Sequence, residues 1–201
     1  MAFFKTKKET EKSSGTASCL EYLHDVVYIL ALILVVFTFC MRVVIVSGSS
    51  MFSTLVDGDY LLLINRPLCG ELERGDIVVA SMERFKDGEP IVKRVIATEG
   101  QEVDIDFRLG VVYVDGVALE EDYIYTPTHL SEGMEFPLVV EEGCLFLMGD
   151  NRMDSRDSRA PEIGLVDERE ILGRAVFLLL PGNGRGEYTV NPDAGRIGGL
   201  N

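Results

Sequence analysis

The chain has 201 residues, of which 33 are acidic and 19 are basic, so its formal net charge is −14. This excess of negative charge argues against nucleic acid as the main partner, because phosphate groups attract Lys and Arg. A hydrophobic content of 47% excludes a disordered acidic chain. The mean hydropathy is nevertheless positive, at +0.16, which indicates that apolar residues are concentrated in one segment.

An apolar run near the amino terminus is that segment. Residues 26–41 contain no charge, and after Arg42 the run continues to residue 46. A helix needs about 20 residues to cross a bilayer, and a charged side chain near its end can reach the interface. A signal peptide has a shorter apolar core of about 7 to 15 residues, followed by a cleavage site of small residues. Residues 26–46 therefore predict a retained transmembrane anchor.

The charges around this run predict its orientation. Four lysines precede the run, whereas Arg42 is the one basic residue just beyond its uncharged part at residues 26–41. The amino terminus is therefore expected in the cytoplasm. Acidic residues in the amino-terminal tail balance its lysines, which assigns the whole −14 to the rest of the chain. The predicted organisation is a cytoplasmic tail (1–25), a transmembrane anchor (26–46), an extracytoplasmic domain (47–181) and a flexible tail rich in Gly (182–201).

The extracytoplasmic domain shows short apolar runs separated by Asp-Gly and other turn sequences. Six runs predict strands: residues 60–64, 77–80, 91–97, 111–114, 144–148 and 175–180. Helical periodicity is limited to a short turn at residues 167–171. The fold class is therefore mainly β, an antiparallel sheet domain preceded by one amino-terminal transmembrane helix.

The chain has four cysteines, Cys19, Cys40, Cys69 and Cys144. They show no metal-ligand spacing, so no metal or cofactor is expected. Cys69 and Cys144 could form an extracellular disulfide or remain two thiols, and the sequence leaves both open. His129 lies in a loop without a supporting motif and is expected to be solvated.

Two polar segments are candidates for chemistry. Residues 47–55 combine Ser and Thr hydroxyls with apolar side chains, which fits either a Ser-rich linker or a peptide-binding cleft at the membrane surface. Residues 149–159 alternate short polar side chains with arginines. They fit either a salt-bridged surface loop or a rigid hydrogen-bonded platform that presents a hydroxyl to a neighbouring group.

Lys93 lies in the predicted strand at residues 91–97. Alternate side chains of a strand share a face, so Ile91 and Val95 flank Lys93. Apolar surroundings disfavour the ammonium form and lower a lysine pKa, as a general base requires. A solvated lysine on an edge strand is the alternative.

Taken together, these segments resemble the bacterial type I signal peptidases, membrane-bound Ser/Lys proteases, and in particular their Gram-positive form. After the anchor, the motifs occur in the family's order. These are residues 48–55 against a G-x-S-M-x-P-T-L pattern, Arg-Gly-Asp-Ile-Val at 74–78, Lys-Arg-Val-Ile at 93–96, and Gly-Asp-Asn-Arg at 149–152 with the polar residues that follow. Ser53 departs from the pattern, which usually has proline there.

The resemblance implies roles for individual residues. Ser50 would be the nucleophile and Lys93 the general base, acting through an acyl-enzyme. Ser155 would orient the Lys93 amine, while Asp157 and Arg159 would pair to brace the site. The oxyanion would be held by backbone N–H groups, chiefly that of Ser50.

The resemblance also implies the substrate and the location. Signal peptides of exported preproteins would be cut after small residues, in an Ala-x-Ala pattern. Met51, Leu55, Ile91 and Val92 are the candidates for lining the substrate pockets. The enzyme would lie in the cell membrane with a single span, with preproteins and the lipid bilayer as partners and no nucleic acid.

Two other functions remain open on the sequence alone. One is a different membrane-anchored Ser/Lys processing peptidase, of the pilus or conjugation type. The other is a non-catalytic β domain that binds exported peptides. A sporulation-type signal peptidase would have histidine at the position of Lys93, so the lysine argues against it.

Overall fold

The computed structural model describes residues 3–190 and 194–200, with the side chains of 3–18 and 194 excepted. It contains a long amino-terminal helix, α1 (Phe3–Phe39), and twelve strands. The strands are β1 (Met41–Ile45), β2 (Tyr60–Asn65), β3 (Ile77–Ala80), β4 (Ile91–Thr98), β5 (Glu102–Asp106), β6 (Val111–Val114), β7 (Val117–Ala118), β8 (Leu138–Val139), β9 (Cys144–Met148), β10 (Val166–Asp167), β11 (Ile171–Leu180) and β12 (Gly198–Gly199). Short 3-10 helices occur at Arg66–Leu68, Lys86–Gly88, Glu168–Glu170, Gly186–Tyr188 and Ala194–Arg196.

The chain divides into two units, residues 1–41 and 42–201. Within the first, Cys19–Phe39 is long and apolar enough to cross a membrane, with a mean hydropathy of 2.1 over its best window. The sequence-based span of residues 26–46 ends later than this helix. Residues 41–45 form β1 instead, because Val43, Val44 and Ile45 are β-branched and fit a strand. Apolar content alone does not distinguish this strand from the end of a membrane helix.

The second unit is mainly antiparallel β, as the sequence predicts. Its larger sheet has the order β1-β2-β11-β3-β4-β9-β10, and β12 pairs with β11. The smaller sheet has the order β7-β6-β5-β8. All six predicted strands are present, although β11 begins earlier than expected, and the expected helical turn near residue 167 is a capped 3-10 helix at Glu168–Glu170.

Central strands of the larger sheet are buried on both faces. Every residue of β3 is buried, because β3 lies between β11 and β4. One apolar cluster joins β2, β3 and β11 with Met51 and Leu55, which come from the segment between β1 and β2. The core thus fixes the segment that contains Ser50 against the middle of the sheet.

Residues predicted as a flexible tail make defined contacts here. β12 pairs with Phe177 and Leu178 of β11, and Leu200 packs against the apolar cluster around Met51. All four cysteines are free thiols, so Cys69 and Cys144 do not form a disulfide.

Candidate active site

Residues 47–59, here called the Ser50 loop, connect β1 to β2. Met51 is 1% exposed and Leu55 is fully buried, so both side chains anchor the loop in the core. The Leu55 N–H donates to the Met51 carbonyl at 2.8 Å, which forms a tight turn just after Ser50. Ser53, at the family's proline position, is exposed and follows a cis peptide bond. These anchors leave the Ser50 side chain directed at the neighbouring strand β4.

Lys93 on β4 meets Ser50. Its Nζ lies 2.7 Å from Ser50 Oγ and 3.0 Å from the Val92 carbonyl oxygen. Lys93 is only 3% exposed, because β4 is an inner strand between β3 and β9. Burial lowers the pKa of the Lys93 ammonium from its ordinary 10.5 to about 8, partly opposed by the negative charge of Asp157. The alternative of a solvated edge lysine is therefore wrong.

The loop after β9 supplies a buried ion pair beside this contact. Arg159 donates from Nε to Asp157 Oδ1 and from a terminal nitrogen to Oδ2, both at 2.8 Å, and both residues are fully buried. Burial by itself raises the pKa of the Asp157 carboxyl, but its hydrogen bonds with Arg159 hold that pKa below the usual value. Asp157 thus remains a carboxylate, paired as the sequence predicts.

Ser155 completes this cluster in a different way from the one expected. Its hydroxyl donates to Asp157 Oδ2 at 2.8 Å, and no hydrogen bond joins it to Lys93, although both residues lie in the described part of the chain. Gly149 allows the close packing here, because a Cβ on it would collide with the Ser155 side chain and the Ser50 carbonyl. The orienting role of Ser155 remains a prediction.

A second buried ion pair, between Arg94 and Asp150, ties the Ser50 loop to the sheet. Arg94 donates to both Asp150 carboxylate oxygens at 2.9 and 2.6 Å. Thr54 in the loop donates its hydroxyl to the same carboxylate at 2.5 Å. Neither Thr54 nor Asp150 has a role predicted from the sequence. Thr54 belongs to the motif at residues 48–55 and Asp150 to the motif at residues 149–152, directly after the apolar run of β9.

A groove of about 760 Å³ opens beside Ser50 and Lys93. Met51, Ile91 and Val92, three of the four residues that the resemblance suggests for the substrate pockets, line this groove, and their contact with substrate stays a prediction. Leu55 does not line the groove, because it is fully buried in the core. Further lining residues come from β1, from the residue after it, and from β2, β3 and β11: Val44, Ile45, Val46, Leu63, Val79 and Leu172. The contribution of β1 was missed because its residues were assigned to the anchor.

The two polar backbone groups of Ser50 differ in their hydrogen bonding. Its carbonyl oxygen accepts the Asn151 N–H at 3.0 Å. Its own N–H makes no hydrogen bond within residues 3–190 and 194–200. His129 is exposed, with Nδ1 at 3.0 Å from the Phe107 carbonyl oxygen. Within the same residues, no group of three or more His, Cys, Asp or Glu side chains is arranged to hold a metal ion.

This chain is similar in sequence to known peptidases. Residues 19–180 match the family described as "Signal peptidase, peptidase S26". Signal peptidase I T of Bacillus subtilis is 34% identical over 187 residues, covering 89% of this chain and 93% of the relative. Signal peptidase IB of Staphylococcus aureus is 30% identical and covers 87% and 95%.

A solved structure of a signal peptidase I from Enterococcus faecalis is 29% identical to the matched part of the chain. It aligns with a TM-score of 0.42 and covers 52% of this chain and 96% of that one. The family match spans most of the chain, including the buried Lys93, the Ser50 loop and the paired Asp157. The chain therefore belongs to the signal peptidase I family of S26 peptidases and is a signal peptidase hydrolase.

Proposed function

We propose that the chain cleaves signal peptides with a catalytic dyad in which Ser50 is the nucleophile and Lys93 is the general base. The contact of 2.7 Å between Lys93 Nζ and Ser50 Oγ is the observation that carries the proposal. The lysine is desolvated, and a pKa of about 8 leaves part of it neutral near pH 7. A neutral amine at hydrogen-bond distance can accept the serine proton directly.

In the acylation step, the Lys93 amine takes the Ser50 proton while Oγ attacks the scissile carbonyl carbon. The carbonyl oxygen becomes an oxyanion, and the Ser50 N–H, which has no hydrogen-bond partner in the described part of the chain, is the donor proposed to stabilise it. When the carbon–nitrogen bond breaks, the Lys93 ammonium gives its proton to the leaving amine. The product is the signal peptide esterified to Ser50.

In the deacylation step, Lys93 is again neutral and removes a proton from water as the water attacks the ester. The proton then passes to Ser50 Oγ, and the signal peptide leaves as a free acid. Asp157 and Arg159 serve this cycle indirectly. Their mutual pairing keeps the charges beside Lys93 fixed, because neither side chain is exposed.

The groove supports a specificity for small apolar residues, as in an Ala-x-Ala sequence before the cut. Met51, Ile91 and Val92 line it together with Ser50 and Lys93, and these apolar side chains are proposed to hold small apolar residues next to the dyad. β1 forms an edge of the larger sheet and lines the groove. An extended peptide is therefore proposed to bind along it by adding backbone hydrogen bonds.

Membrane anchoring would place this groove near its substrates. Cys19–Phe39 supplies a helix of sufficient length and hydropathy, and the preceding lysines favour a cytoplasmic amino terminus. The proposed partners are exported preproteins and the lipid bilayer at the cell membrane. With a net charge of −14, the chain is not expected to bind nucleic acid.

Cleavage of a preprotein with Ala-x-Ala before its cut, by full-length enzyme in lipid vesicles, tests the dyad. Ser50→Ala and Lys93→Ala should each lower kcat by about 10³-fold or more, because the two residues act as one unit. Ser53→Ala is the matched control, since Ser53 lies exposed in the same loop and should keep normal activity. Substantial cleavage by Lys93→Ala would show that another group activates Ser50.

Anchoring is tested separately by fractionation. The full chain should remain with vesicles after washing in alkaline carbonate, whereas a chain beginning at Arg42 should be removed more easily. Protease added outside whole cells should reach the β domain if the proposed orientation is correct. If protease added outside whole cells digests the amino-terminal tail and leaves the β domain protected, the proposed orientation is wrong.

A further inference from the structure

The described part of residues 182–200 lies against the Ser50 loop, although its sequence is rich in Gly and predicts a loose tail. We call residues 182–190 and 194–200 the C-terminal segment. It contacts the loop at two places, one around Asp59 and one around Phe52. These contacts indicate that the C-terminal segment, which supplies no group to the proposed reaction, holds the Ser50 loop in position.

Asp59 is the centre of the first contact. It is fully buried at the end of the Ser50 loop. Arg196 donates to Oδ1 at 3.0 Å and to Oδ2 at 2.6 Å, and the Gly182 N–H donates to Oδ1 at 2.7 Å. The Val56 N–H, inside the loop, donates to Oδ2 at 2.8 Å. One carboxylate therefore joins the C-terminal segment to the loop backbone.

Arg196 also reaches the loop directly. A terminal nitrogen lies 3.3 Å from the Thr54 carbonyl oxygen, four residues after Ser50. The Arg196 side chain is 23% exposed, whereas that of Asp59 is 0% exposed. A buried carboxylate needs a paired cation and hydrogen-bond donors, since an isolated one is strongly destabilising. Arg196 is the cation paired with Asp59 among the described residues.

The segment around Arg196 is held in place by the sheet. β12 pairs with β11 beyond the end of β3, and the Leu200 N–H donates to the Val176 carbonyl at 3.1 Å. Leu200 packs against the same apolar cluster that contains Met51 and Leu55. Arg196 therefore ends a short 3-10 helix, two residues before a strand that is paired with the sheet.

The second contact holds the other side of the loop. The Tyr188 ring lies 5.1 Å from the Phe52 ring, centroid to centroid. The Gly184 N–H donates to the Asp57 carbonyl at 3.0 Å, and the Asp57 side chain accepts the Gly48 N–H at 2.8 Å. The loop has no regular secondary structure of its own, so such contacts decide where Ser50 sits.

We propose that Arg196 is a positioning residue, which acts through Asp59 to hold the Ser50 loop at the distance from Lys93 that proton transfer requires. This proposal rests on the proposed dyad. A misplacement of about 1 Å in a reacting group can lower the rate about 10²-fold, which is the effect expected when the loop loosens. Arg196 does not line the groove, so substrate binding along β1 is expected to change little when Arg196 is replaced.

The test is steady-state cleavage of an Ala-x-Ala peptide by the full-length chain, with the fraction of folded enzyme measured at the same temperature. Arg196→Met should lower kcat about 10- to 100-fold and change KM less than about 2-fold, because binding and chemistry depend on different contacts. Arg196→Lys should recover part of kcat, since it restores a cation. Arg169→Met, which removes an exposed arginine paired with Asp167, is the control and should behave as wild type.

A second variant covers the case in which Arg196→Met does not fold. Asp59→Asn with Arg196→Gln removes both charges and leaves no buried ion unpaired, and it too should lose kcat with little change in KM. Wild-type kcat per folded molecule in either variant would overturn the proposal. Ser50→Ala in the same assay separates the two ideas, because an active Ser50→Ala would refute the dyad itself.

Discussion

Lys93→Met should make the enzyme inactive and more stable at pH 7. Wild type carries an ammonium at a site that is 3% exposed, where Ser50 Oγ and the Val92 carbonyl are its hydrogen-bond partners. Methionine has a similar length and no charge, and so removes the cost of burying the ion. Asp157 stays paired with Arg159 in the variant, so no other buried charge loses its main partner.

The magnitude follows from the lowered pKa of Lys93, about 8 in the folded enzyme against an ordinary value of 10.5. At about 1.4 kcal/mol for each unit of difference, the folded state is penalised by about 3 kcal/mol. The penalty is complete below pH 8, where both states bind the proton. Between pH 8 and 10.5 the unfolded chain binds more protons than the folded one, so wild-type stability rises with pH. Above pH 10.5 the penalty is gone.

Thermal unfolding of wild type and Lys93→Met in detergent, at pH 7 and pH 9.5, measures this effect. The stabilisation by methionine should be about 3 kcal/mol at pH 7 and about 1 kcal/mol at pH 9.5. At pH 7 this corresponds to a rise in Tm of about 6 to 12 °C for a domain of this size.

Ser50→Ala is the control for this experiment, because it is also expected to be inactive but keeps the ammonium. It should show no stabilisation and the same pH dependence as wild type. If Lys93→Met is no more stable than wild type at pH 7, or gains equally at both pH values, the lysine does not carry the burial cost inferred from the structure.

Three further predictions concern the same site. With a pKa of about 8, the neutral fraction of Lys93 rises from about 9% at pH 7 to about 91% at pH 9. The value of kcat/KM should therefore increase about 10-fold over that range. A flat pH profile would contradict Lys93 as the base. Gly149→Ala should lower kcat and Tm together, because its Cβ would collide with Ser155 and the Ser50 carbonyl; normal kinetics would show that the loop has room. Arg159→Met should lower the free energy of unfolding by about 3 to 5 kcal/mol, since it leaves Asp157 buried without its ion-pair partner. Urea unfolding measures this loss, and a loss well below that range would show that Asp157 does not depend on Arg159.

Local sequence patterns predicted most of the fold. The runs that became β3, β6 and β9 have the bounds expected for them, because each is a short apolar stretch bordered by turn residues. β5 was missed, since three of its five residues are acidic and its buried positions are limited to Val103 and Ile105. A strand with alternating charges provides a weaker hydrophobic signal than a central one.

Two errors of assignment have the same physical origin. The residues of β1 are as apolar as the membrane helix before them. Their pairing with β2 joins separate parts of the chain, and the hydropathy of a local segment does not indicate it. The C-terminal segment has a composition typical of a loose tail. Its position depends on the pairing of Arg196 with Asp59, 137 residues away, and no local pattern carries that information.

Local patterns along the chain predict the apolar amino-terminal segment and the β character of the second unit, and the order of the motifs predicts the candidate dyad of Ser50 and Lys93. The sequence also indicated that apolar neighbours would lower the lysine pKa, because residue alternation along a strand is a local property. Three features become visible in the folded chain alone: Lys93 lies on an inner strand 2.7 Å from Ser50, Leu55 belongs to the core, and Arg94, Asp150 and the C-terminal segment contact the Ser50 loop. Desolvation and buried ion pairing depend on what packs around a group from distant parts of the chain, so they appear only when the chain is folded.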